Sequence, residues 1–451
     1  MSIQSDLTNL GLAQVIVVLK PSTTASLGSG CEKYFTQSEN SRGGALAAAA
    51  AAVANLRGGG HALEGAVAAF VAPKMRVYSH LGIALGSVDK AGYAGLKSSS
   101  AVESILPVPE LSLIRPVDGV AIKLSGGLSW GLKRMRVPEV WERGFTGTGV
   151  IVGHLDTGID GQHPALKKAI HAFAEFDLMG QQVVGAVPRD SSEHATEAAG
   201  HGTHTAGTIA GRAVGKSRFG VAPGCLLASA LVIEGGDIVA RILGGMNWII
   251  GEGAKILSMS LGIRGYTEDF LSLMQIVRNR GVLPIIAVGN EGPGTSRSPG
   301  NYDICLSVGA SNSLDEVADF SSSQRFIRPG DPLVPDLVGP GVGVISCLPG
   351  KRYGEMNGSS MATPHIAGLA ALLWQAKPQA TVDQIEAAIH QSCTRPASMP
   401  EARANRGVPD AVKALAALVS PGPVSLVAKK KPPSPQPTAV KKAKKAKPKK
   451  T

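Results

Sequence analysis

The sequence has few aromatic residues and few cysteines. Aromatic side chains account for 4% of the 451 residues, and the five cysteines stand far apart along the chain. Disulfide-rich domains and zinc sites use closely spaced cysteines, so we interpret these five as buried free thiols. No apolar run approaches about 18 residues, so no membrane span is predicted. The N-terminus lacks a basic segment followed by a sustained apolar one. No signal peptide is therefore predicted, and a cytoplasmic origin is favoured.

Acidic residues are absent from the end of the chain, where lysines are concentrated. Ten lysines lie between Lys429 and Lys450, and they account for almost all of the net charge of +11. Without them the chain carries only +1, so the folded part is close to neutral. We expect this tail, residues 421–451, to be disordered. It is a candidate for binding polyanions or an acidic surface; a solvated tail without a specific partner is the alternative.

The first part of the chain alternates short apolar strands with helical segments. An Ala- and Gly-rich insertion separates the first two strands. The predicted elements are strands at Ala13–Lys20, Arg76–Gly86 and Ala101–Pro107, a helix at Asp89–Lys97, and a neighbour of the last strand at Leu111–Arg115. This order is typical of a small α+β domain of the ferredoxin-like type. We assign it to residues 1–117, with a Gly-rich linker at residues 118–129.

Apolar strands alternate with helices over residues 130–420. The strands are rich in Val, Ile and Leu over their whole length, as at Val150–Leu155 and Val282–Val288. Such strands are typical of a mostly parallel sheet covered by helices on both faces. The fold class predicted for this domain is therefore α/β. Reactive groups in these sheets gather at the carboxyl ends of strands, and Asp156 and Asn290 each follow a strand.

A serine in the stretch Asn357–His365 has the sequence context of a nucleophile. Small residues precede Ser360, and an apolar segment without a glycine break runs from Leu369 to Trp374. The pattern predicts a tight turn that delivers Ser360 to the first turn of a buried helix, where Pro364 is tolerated. The positive end of the helix dipole favours negative charge that develops at the serine. The alternative is that Ser360 only caps a core helix.

Three further residues are candidates for the other groups that acyl transfer by a serine needs. Asp156 is a carboxylate that could orient a base, His201 is that base, and Asn290 is a donor to the oxyanion. Asp156 and Asn290 also suit ordinary turns at strand ends. A metal cluster of His194, His201 and His204 is another alternative. No HExxH pattern and no paired acidic ligand accompanies these histidines, so no metal is predicted.

Four motifs give the chain a resemblance to a known family. DTGID, HGTHTAG, AVGNEG and NGSSMATPH occur in the order in which the subtilisin-like serine peptidases, or subtilases, carry them. The resemblance covers the chain from about Trp130 to Leu418. It implies a serine endopeptidase that hydrolyses peptide bonds in proteins through an acyl-enzyme. The catalytic residues that it implies are Asp156, His201 and Ser360 as the triad and Asn290 as the oxyanion donor.

The same resemblance implies a site for the substrate backbone. The stretch Ser258-Met259-Ser260-Leu261-Gly262 is similar to the strand that pairs with the substrate beside the primary specificity pocket. In such a site the main chain provides binding and the pockets provide selection. The substrate-binding residues implied are Ser258, Ser260, Leu261, Gly262 and Gly289.

The first 115 or so residues resemble a subtilase propeptide. In the family this is an α+β domain that assists folding and blocks the cleft as an intramolecular inhibitor until self-cleavage. The chain is therefore expected to be made as a zymogen and cut within Arg115–Leu128. The Ala- and Gly-rich insertion departs from the family pattern.

Two residues near the predicted triad depart from, or add to, the family pattern. Many members carry an aspartate that helps to bind calcium where this chain has Ala165, so neither calcium nor any other cofactor is predicted. His154, two residues before Asp156, is interpreted as a hydrogen-bonded core histidine rather than an additional catalytic group.

A second hypothesis places the chain in another functional class. It is a polyanion-binding protein on a subtilase scaffold, anchored by the basic tail, whose peptidase activity is vestigial. The complete set of Asp156, His201 and Ser360 argues against it.

Overall fold

The computed structural model describes residues 2–20, 30–36, 74–191, 200–328 and 330–419. Most of the Ala- and Gly-rich insertion and the whole basic tail lie outside the described residues. No helix within these ranges combines the length and the apolar character that crossing a bilayer requires. All five cysteines are free, as interpreted from the sequence; four are buried and Cys393 is half-buried.

The N-terminal part of the chain forms a four-stranded antiparallel sheet in the order β2-β3-β1-β4. Its elements are β1 (Ala13–Leu19), β2 (Met75–Tyr78), β3 (Ile83–Val88), β4 (Val102–Pro107), α1 (Ile3–Asn9), a 3₁₀ turn (Glu32–Tyr34) and α2 (Lys90–Ser98). The strand predicted at residues 76–86 is a hairpin instead, because a turn at Gly82 (φ +67°) divides it. The prediction that residues 111–115 neighbour β4 is also wrong, since they pair with a different strand.

β1 is apolar except for Gln14, because both of its faces are covered. Val15 and Val17 pack with α1 and α2. Ile16 and Val18 face the opposite side, where they share an apolar core with residues of the long helix α6 (Ile238–Gly251). The hydroxyl of Tyr78, on β2, donates to the carbonyl of Ala240 in that helix at 3.2 Å. The antiparallel sheet therefore packs directly on the larger domain.

Seven parallel strands form the centre of the larger domain, in the order β19-β16-β14-β12-β8-β11-β9. They are β8 (Ile151–Asp156), β9 (Ile170–Glu175), β11 (Leu226–Leu231), β12 (Ile256–Met259), β14 (Leu283–Ala287), β16 (Leu306–Ser311) and β19 (Leu337–Pro340). The predicted parallel sheet is confirmed. β8 lies near its middle, which is why nearly every residue of that strand is buried.

Helices cover both faces of this sheet, as predicted. One face carries α6 and α7 (Leu271–Asn279), packed on Leu155, Leu257 and Ile286. The other face carries α5 (His201–Ala210) and α8 (Ser359–Ala376), packed on Val152, Ile285 and Leu306. The remaining helices are α3 (Trp130–Arg134), α4 (Val137–Glu142), α9 (Val382–Ser392), α10 (Glu401–Ala404) and α11 (Ala411–Val419).

Short strands form smaller sheets around the central one. The sheets are β15-β13-β5, β20-β21-β6, β10-β7 and β17-β18. Their strands are β5 (Ser112–Leu113), β6 (Asp118–Ile122), β7 (Gly127–Leu128), β10 (Ser217–Arg218), β13 (Leu261–Arg264), β15 (Arg297–Ser298), β17 (Gln324–Arg325), β18 (Leu333–Val334), β20 (Val344–Leu348) and β21 (Arg352–Asn357). The segment predicted as a linker, residues 118–129, thus contains two strands paired to the larger domain.

Candidate active site

Asp156 is the last residue of β8. Because β8 is hydrogen-bonded to β11 on one side and β12 on the other, the end of this strand is held firmly in place. The residue is only 2% exposed, and its Oδ1 accepts a hydrogen bond from the N–H of Thr157 at 2.7 Å. The carboxylate is therefore in a fixed position, which suits a group that orients another side chain.

His201 is the first residue of α5, and glycines on both sides of it determine where the helix begins. Gly200 has a φ of +89°, a left-handed conformation that residues with a side chain rarely adopt. A Cβ on Gly202 would lie 2.1 Å from the carbonyl oxygen of Gly158. Only glycine lets the helix approach the turn after β8 this closely.

This approach brings the imidazole of His201 against the carboxylate of Asp156. Nδ1 of His201 and Oδ1 of Asp156 are 2.6 Å apart, and both side chains are buried. With a carboxylate as its partner, Nδ1 carries the hydrogen, which leaves Nε2 as the basic nitrogen. Nε2 is buried and has no hydrogen-bond partner among the described residues. Burial acts to raise the pKa of Asp156, but the charge and hydrogen bond of His201 outweigh it and lower this pKa.

His154 lies behind this pair, two residues earlier in β8. Its Nδ1 is 3.0 Å from Oγ of Ser229 and its Nε2 is 2.8 Å from Oγ1 of Thr205. The Thr205 hydroxyl also reaches Oδ2 of Asp156 at 3.1 Å. Burial lowers the pKa of His154 to about 4, so the ring is neutral at pH 7. The interpretation of His154 as a hydrogen-bonded core histidine is confirmed, and Thr205 connects it to Asp156.

Ser360 is the second residue of α8, which begins one glycine after β21 ends. The residue is fully buried, and so is the helix from Ser359 to Trp374, as predicted. Pro364, however, is the sixth helical residue, so the prediction that it lies in the first turn is wrong. Because proline has no N–H, the carbonyl of Ser360 lacks its usual helical partner and accepts from Oγ of Ser260 at 3.4 Å.

Asn290 links the end of β14 to the beginning of α8. Its Oδ1 accepts hydrogen bonds from both the N–H and the Oγ of Ser359, each at 2.8 Å. These two bonds orient the amide and leave its Nδ2 available as a donor. Nδ2 donates to the carbonyl oxygen of Arg115 at 2.8 Å. Asn290 therefore lies beside Ser360 with its donor directed at a backbone carbonyl.

Residues 112–117, which we name the cleft strand, cross the site in front of α8. β5 pairs antiparallel with β13, with Leu113 opposite Leu261 and Ser112 opposite Gly262. The N–H of Ile114 continues this pairing by donating to the carbonyl of Ser260 at 2.9 Å. The chain thus adds its own strand to the edge that the sequence predicted for substrate.

The cleft strand contacts both Ser360 and Asn290 through its backbone. Oγ of Ser360 donates to the carbonyl oxygen of Ile114 at 2.5 Å, whereas Asn290 donates to the next carbonyl, that of Arg115. Beyond them the N–H of Val117 donates to the carbonyl of Asn357 at 2.8 Å, and β6 then pairs antiparallel with β21. The chain therefore passes uncut through the site, with successive carbonyls held by two different groups.

The predicted substrate-binding residues do not all lie at this edge. Ser260, Leu261 and Gly262 contact the cleft strand. Ser258 lies inside β12 instead, where its backbone pairs with β8 and β14 in the central sheet. Gly289 precedes Asn290 with a φ of +122°, and a Cβ on it would lie 3.3 Å from Cγ of Arg297.

Sequence reasoning missed the cleft strand and Arg297. The cleft strand was assigned to the antiparallel sheet because a short apolar segment does not specify its partner. Arg297 belongs to no motif that marks it as part of the site. Its proximity to Gly262 and Gly289 is visible only in the folded chain.

Two sequence features concern metal binding: the cluster of His194, His201 and His204, and Ala165 in place of a calcium ligand. Nε2 of His204 lies 2.9 Å from the carbonyl oxygen of Val344, and burial lowers the pKa of this histidine to about 3. His194 lies outside the described residues. Within the described ranges, no three His, Cys, Asp or Glu side chains come together as a metal site would require. Ala165 is fully buried in the apolar core and offers no side-chain oxygen.

A model of the subtilase family matches residues 147–413, a range that contains all four motifs. The chain belongs to the subtilase family. M-protease from Shouchella clausii (strain KSM-K16) is 34% identical over 299 residues, covering 66% of this chain and 72% of that protein. Subtilisin E from Bacillus subtilis (strain 168) is 31% identical over 307 residues, covering 67% and 75%. Subtilisin Savinase from Lederbergia lenta is 36% identical over 267 residues, covering 59% and 91%.

As a subtilase, the chain is a serine endopeptidase. Its seven-stranded parallel sheet flanked by helices agrees with the subtilisin fold that the resemblance implied. The structure brings Asp156 against His201, and Ser360 beside Asn290. The catalytic roles of these four residues, and the absence of a calcium requirement, stay predictions.

Proposed function

We propose that this subtilase cleaves proteins with Asp156, His201 and Ser360 as its catalytic triad. The 2.6 Å contact between His201 and Asp156 is the observation that carries the proposal. Oγ of Ser360 attacks the peptide carbonyl while Nε2 of His201 takes its proton and then gives it to the leaving amine. The C–N bond breaks, and an acyl-enzyme ester remains on Ser360. Water, activated by the same histidine, then hydrolyses this ester.

In the same proposal, Asn290 stabilises the oxyanion that forms during attack. Its Nδ2 donates to a backbone carbonyl of the cleft strand, which is the chemical group that becomes the oxyanion. The N–H of Ser360, at the beginning of α8, is the second donor. The two bonds from Ser359 to Oδ1 keep the amide in the required orientation.

We further propose that the chain is a zymogen and that the cleft strand is its intramolecular inhibitor. Antiparallel pairing with β13 and burial of Ile114 support a substrate-like position. Ser360 and Asn290 engage different carbonyls, however, whereas attack needs both on one peptide group. Attack also needs the Ser360 hydroxyl to donate to His201 rather than to Ile114. Self-cleavage within residues 115–128 therefore requires the cleft strand to shift first.

Mass spectrometry of the purified wild-type chain beside the Ser360→Ala variant tests this proposal. We expect the wild type to lose its N-terminal part at a bond within residues 115–128 and then to digest casein. We expect the variant to stay intact and inactive. A Ser360→Ala chain that still digests casein contradicts the triad. A wild type that digests casein without being cut contradicts only the zymogen.

Binding of polyanions by the basic tail stays a prediction, with its own test. Deleting residues 429–451 should abolish salt-sensitive retention on heparin, because the lysines release counterions from the polyanion. Unchanged retention on heparin contradicts binding of polyanions by the tail.

The hypothesis that the peptidase activity is vestigial has a separate test. Labelling of the chain by a fluorophosphonate probe, which reacts with an activated serine, excludes this hypothesis.

A further inference from the structure

We infer that Arg297 is a specificity-determining residue of this peptidase. It selects substrates whose side chain at the position of Ser112 accepts hydrogen bonds. Such a side chain carries a hydroxyl, an amide or, most favourably, a carboxylate. The inference rests on the proposal that the cleft strand lies in the site as a substrate does. It goes beyond that proposal because it names the chemistry of the side chain that the site prefers.

Arg297 lies close to two glycines of the site, Gly262 opposite Ser112 and Gly289 just before Asn290. It is the first residue of β15, which pairs with β13, and it is 5% exposed. A Cβ on Gly262 would lie 3.0 Å from Cβ of Arg297, and a Cβ on Gly289 would lie 3.3 Å from its Cγ.

Glu291 holds the guanidinium of Arg297 in place. Nε of Arg297 donates to Oε1 of Glu291 at 2.9 Å, and Nη2 contacts the same oxygen. The carboxylate is itself fixed, because Oε2 accepts from the N–H of Asn290 at 3.1 Å. Arg264 also lies 3.6 Å from Oε1, so two guanidinium groups share one carboxylate. Arg264 is mostly exposed, whereas Arg297 is buried, so Arg297 is the cation that contacts the cleft strand.

The remaining nitrogen of Arg297 contacts the cleft strand. Nη1 donates to Oγ of Ser112 at 3.1 Å and to the carbonyl oxygen of Gly262 at 3.3 Å. A guanidinium only donates hydrogen bonds, so this nitrogen prefers a substrate side chain that accepts them. A carboxylate in place of the Ser112 hydroxyl would form a charge-assisted bond with a cation that is largely removed from water. We therefore expect Asp and Glu to be preferred over Ser, Thr and Asn, and these over apolar or cationic residues.

Cleavage of a peptide library derived from a proteome, with the products sequenced, measures this preference. A substrate residue at the position of Ser112 is third before the scissile bond if the attacked carbonyl takes the place of that of Ile114, and fourth if it takes the place of that of Arg115. At one of these positions we expect acceptor side chains to be enriched about tenfold over Leu and Lys, the effect of one such hydrogen bond. Arg297→Ala should abolish the enrichment and Arg297→Lys should reduce it.

Arg264→Ala is the matched control for the library. It removes a cation near Glu291 that is 78% exposed, and it should retain the preference. A preference that is the same in wild type and Arg297→Ala overturns the inference, as does a wild type that cleaves without preference at both positions. A wild type that cleaves no peptide at all concerns the proposed function instead.

A second measurement does not depend on activity or on the folding of an Arg297 variant. In the full-length Ser360→Ala chain, Ser112→Asp should raise the midpoint of thermal unfolding, because the new carboxylate meets Arg297. Ser112→Lys should lower this midpoint, because two cations then face each other. Midpoints that do not move in these directions overturn the inference.

Discussion

The hydroxyl of Ser360 donates a hydrogen bond to the carbonyl oxygen of Ile114 at 2.5 Å, although the two residues are 246 positions apart. The hydroxyl of Ser360, the predicted nucleophile, thus forms its hydrogen bond with the backbone of its own chain. His201, held by Asp156, has a buried Nε2 without a hydrogen-bond partner in the part of the chain that the structure describes. The cleft strand thus lies against Ser360 and Asn290, and changes to the residues around them have distinct expected effects.

Asn290→Ala should reduce kcat by about 10²–10³-fold with little change in KM, as loss of one oxyanion donor does in a subtilisin. The amide donates to a carbonyl in the cleft and makes its other contacts with Ser359. Steady-state kinetics on a chromogenic peptide measures the loss, and the thermal midpoint controls for altered folding. A loss below fivefold in a normally folded variant contradicts the assigned role.

Gly202→Ala should reduce kcat by about 10²-fold in a chain that still folds. The new Cβ would lie 2.1 Å from the carbonyl of Gly158, so α5 must move away from the end of β8 and carry His201 with it. A displacement of this size near the reacting groups has an effect of that order. The thermal midpoint controls for altered folding. A Gly202→Ala variant that folds normally and keeps the wild-type kcat disproves the argument.

Thr205→Val should lower the free energy of unfolding by about 1–3 kcal/mol and reduce kcat as well. The substitution removes the hydroxyl that lies between His154 and Asp156, and it leaves buried polar atoms without a partner. Thr205→Ser, which restores the hydroxyl, should recover most of both losses. Denaturant titration in the Ser360→Ala background gives the stability, and kinetics on the active chain gives kcat. A Ser variant as impaired as the Val variant shows that packing, not the hydroxyl, matters.

Asp336→Asn should change how stability depends on pH. Burial, only partly offset by the charge of Arg406, raises the pKa of this carboxyl from 3.8 to about 7. Below about pH 4 it is protonated in both the folded and the unfolded state. Between about pH 4 and 7 only the folded state keeps the proton, so the free energy of unfolding falls as pH rises through this window.

The expected slope from this one group is about 1.4 kcal/mol per pH unit. Denaturant titrations from pH 5 to 7, in the Ser360→Ala background, should show that the variant lacks this slope relative to its parent. Buried histidines such as His154 and His365, whose pKa values burial lowers to about 4, contribute a slope of opposite sign. They contribute equally to both proteins and cancel in the difference. Parallel pH curves contradict the raised pKa of Asp336.

The central fold was predictable because its strands carry local signals. β8 and β14 are rich in Val, Ile and Leu, and the turn after each contains a glycine and a polar residue. Such segments are buried on both faces whatever their order in the sheet. The hairpin of β2 and β3 was not predicted, because one glycine turn inside an apolar segment looks like an uninterrupted strand. Pro364 was placed too early because the first residue of α8 depends on the fold around Gly358.

By itself, the sequence determined the parallel sheet, its helices, and Asp156, His201, Asn290 and Ser360 as the reactive side chains to consider. These features depend on patterns within a few residues of each other. Only the tertiary structure decided that the cleft strand lies on β13 and that Arg297 fills the space beside Gly262. Both of these contacts join segments that are far apart in the chain. The partner of a short strand, or of a buried charge, is chosen by long-range packing, which no local pattern encodes.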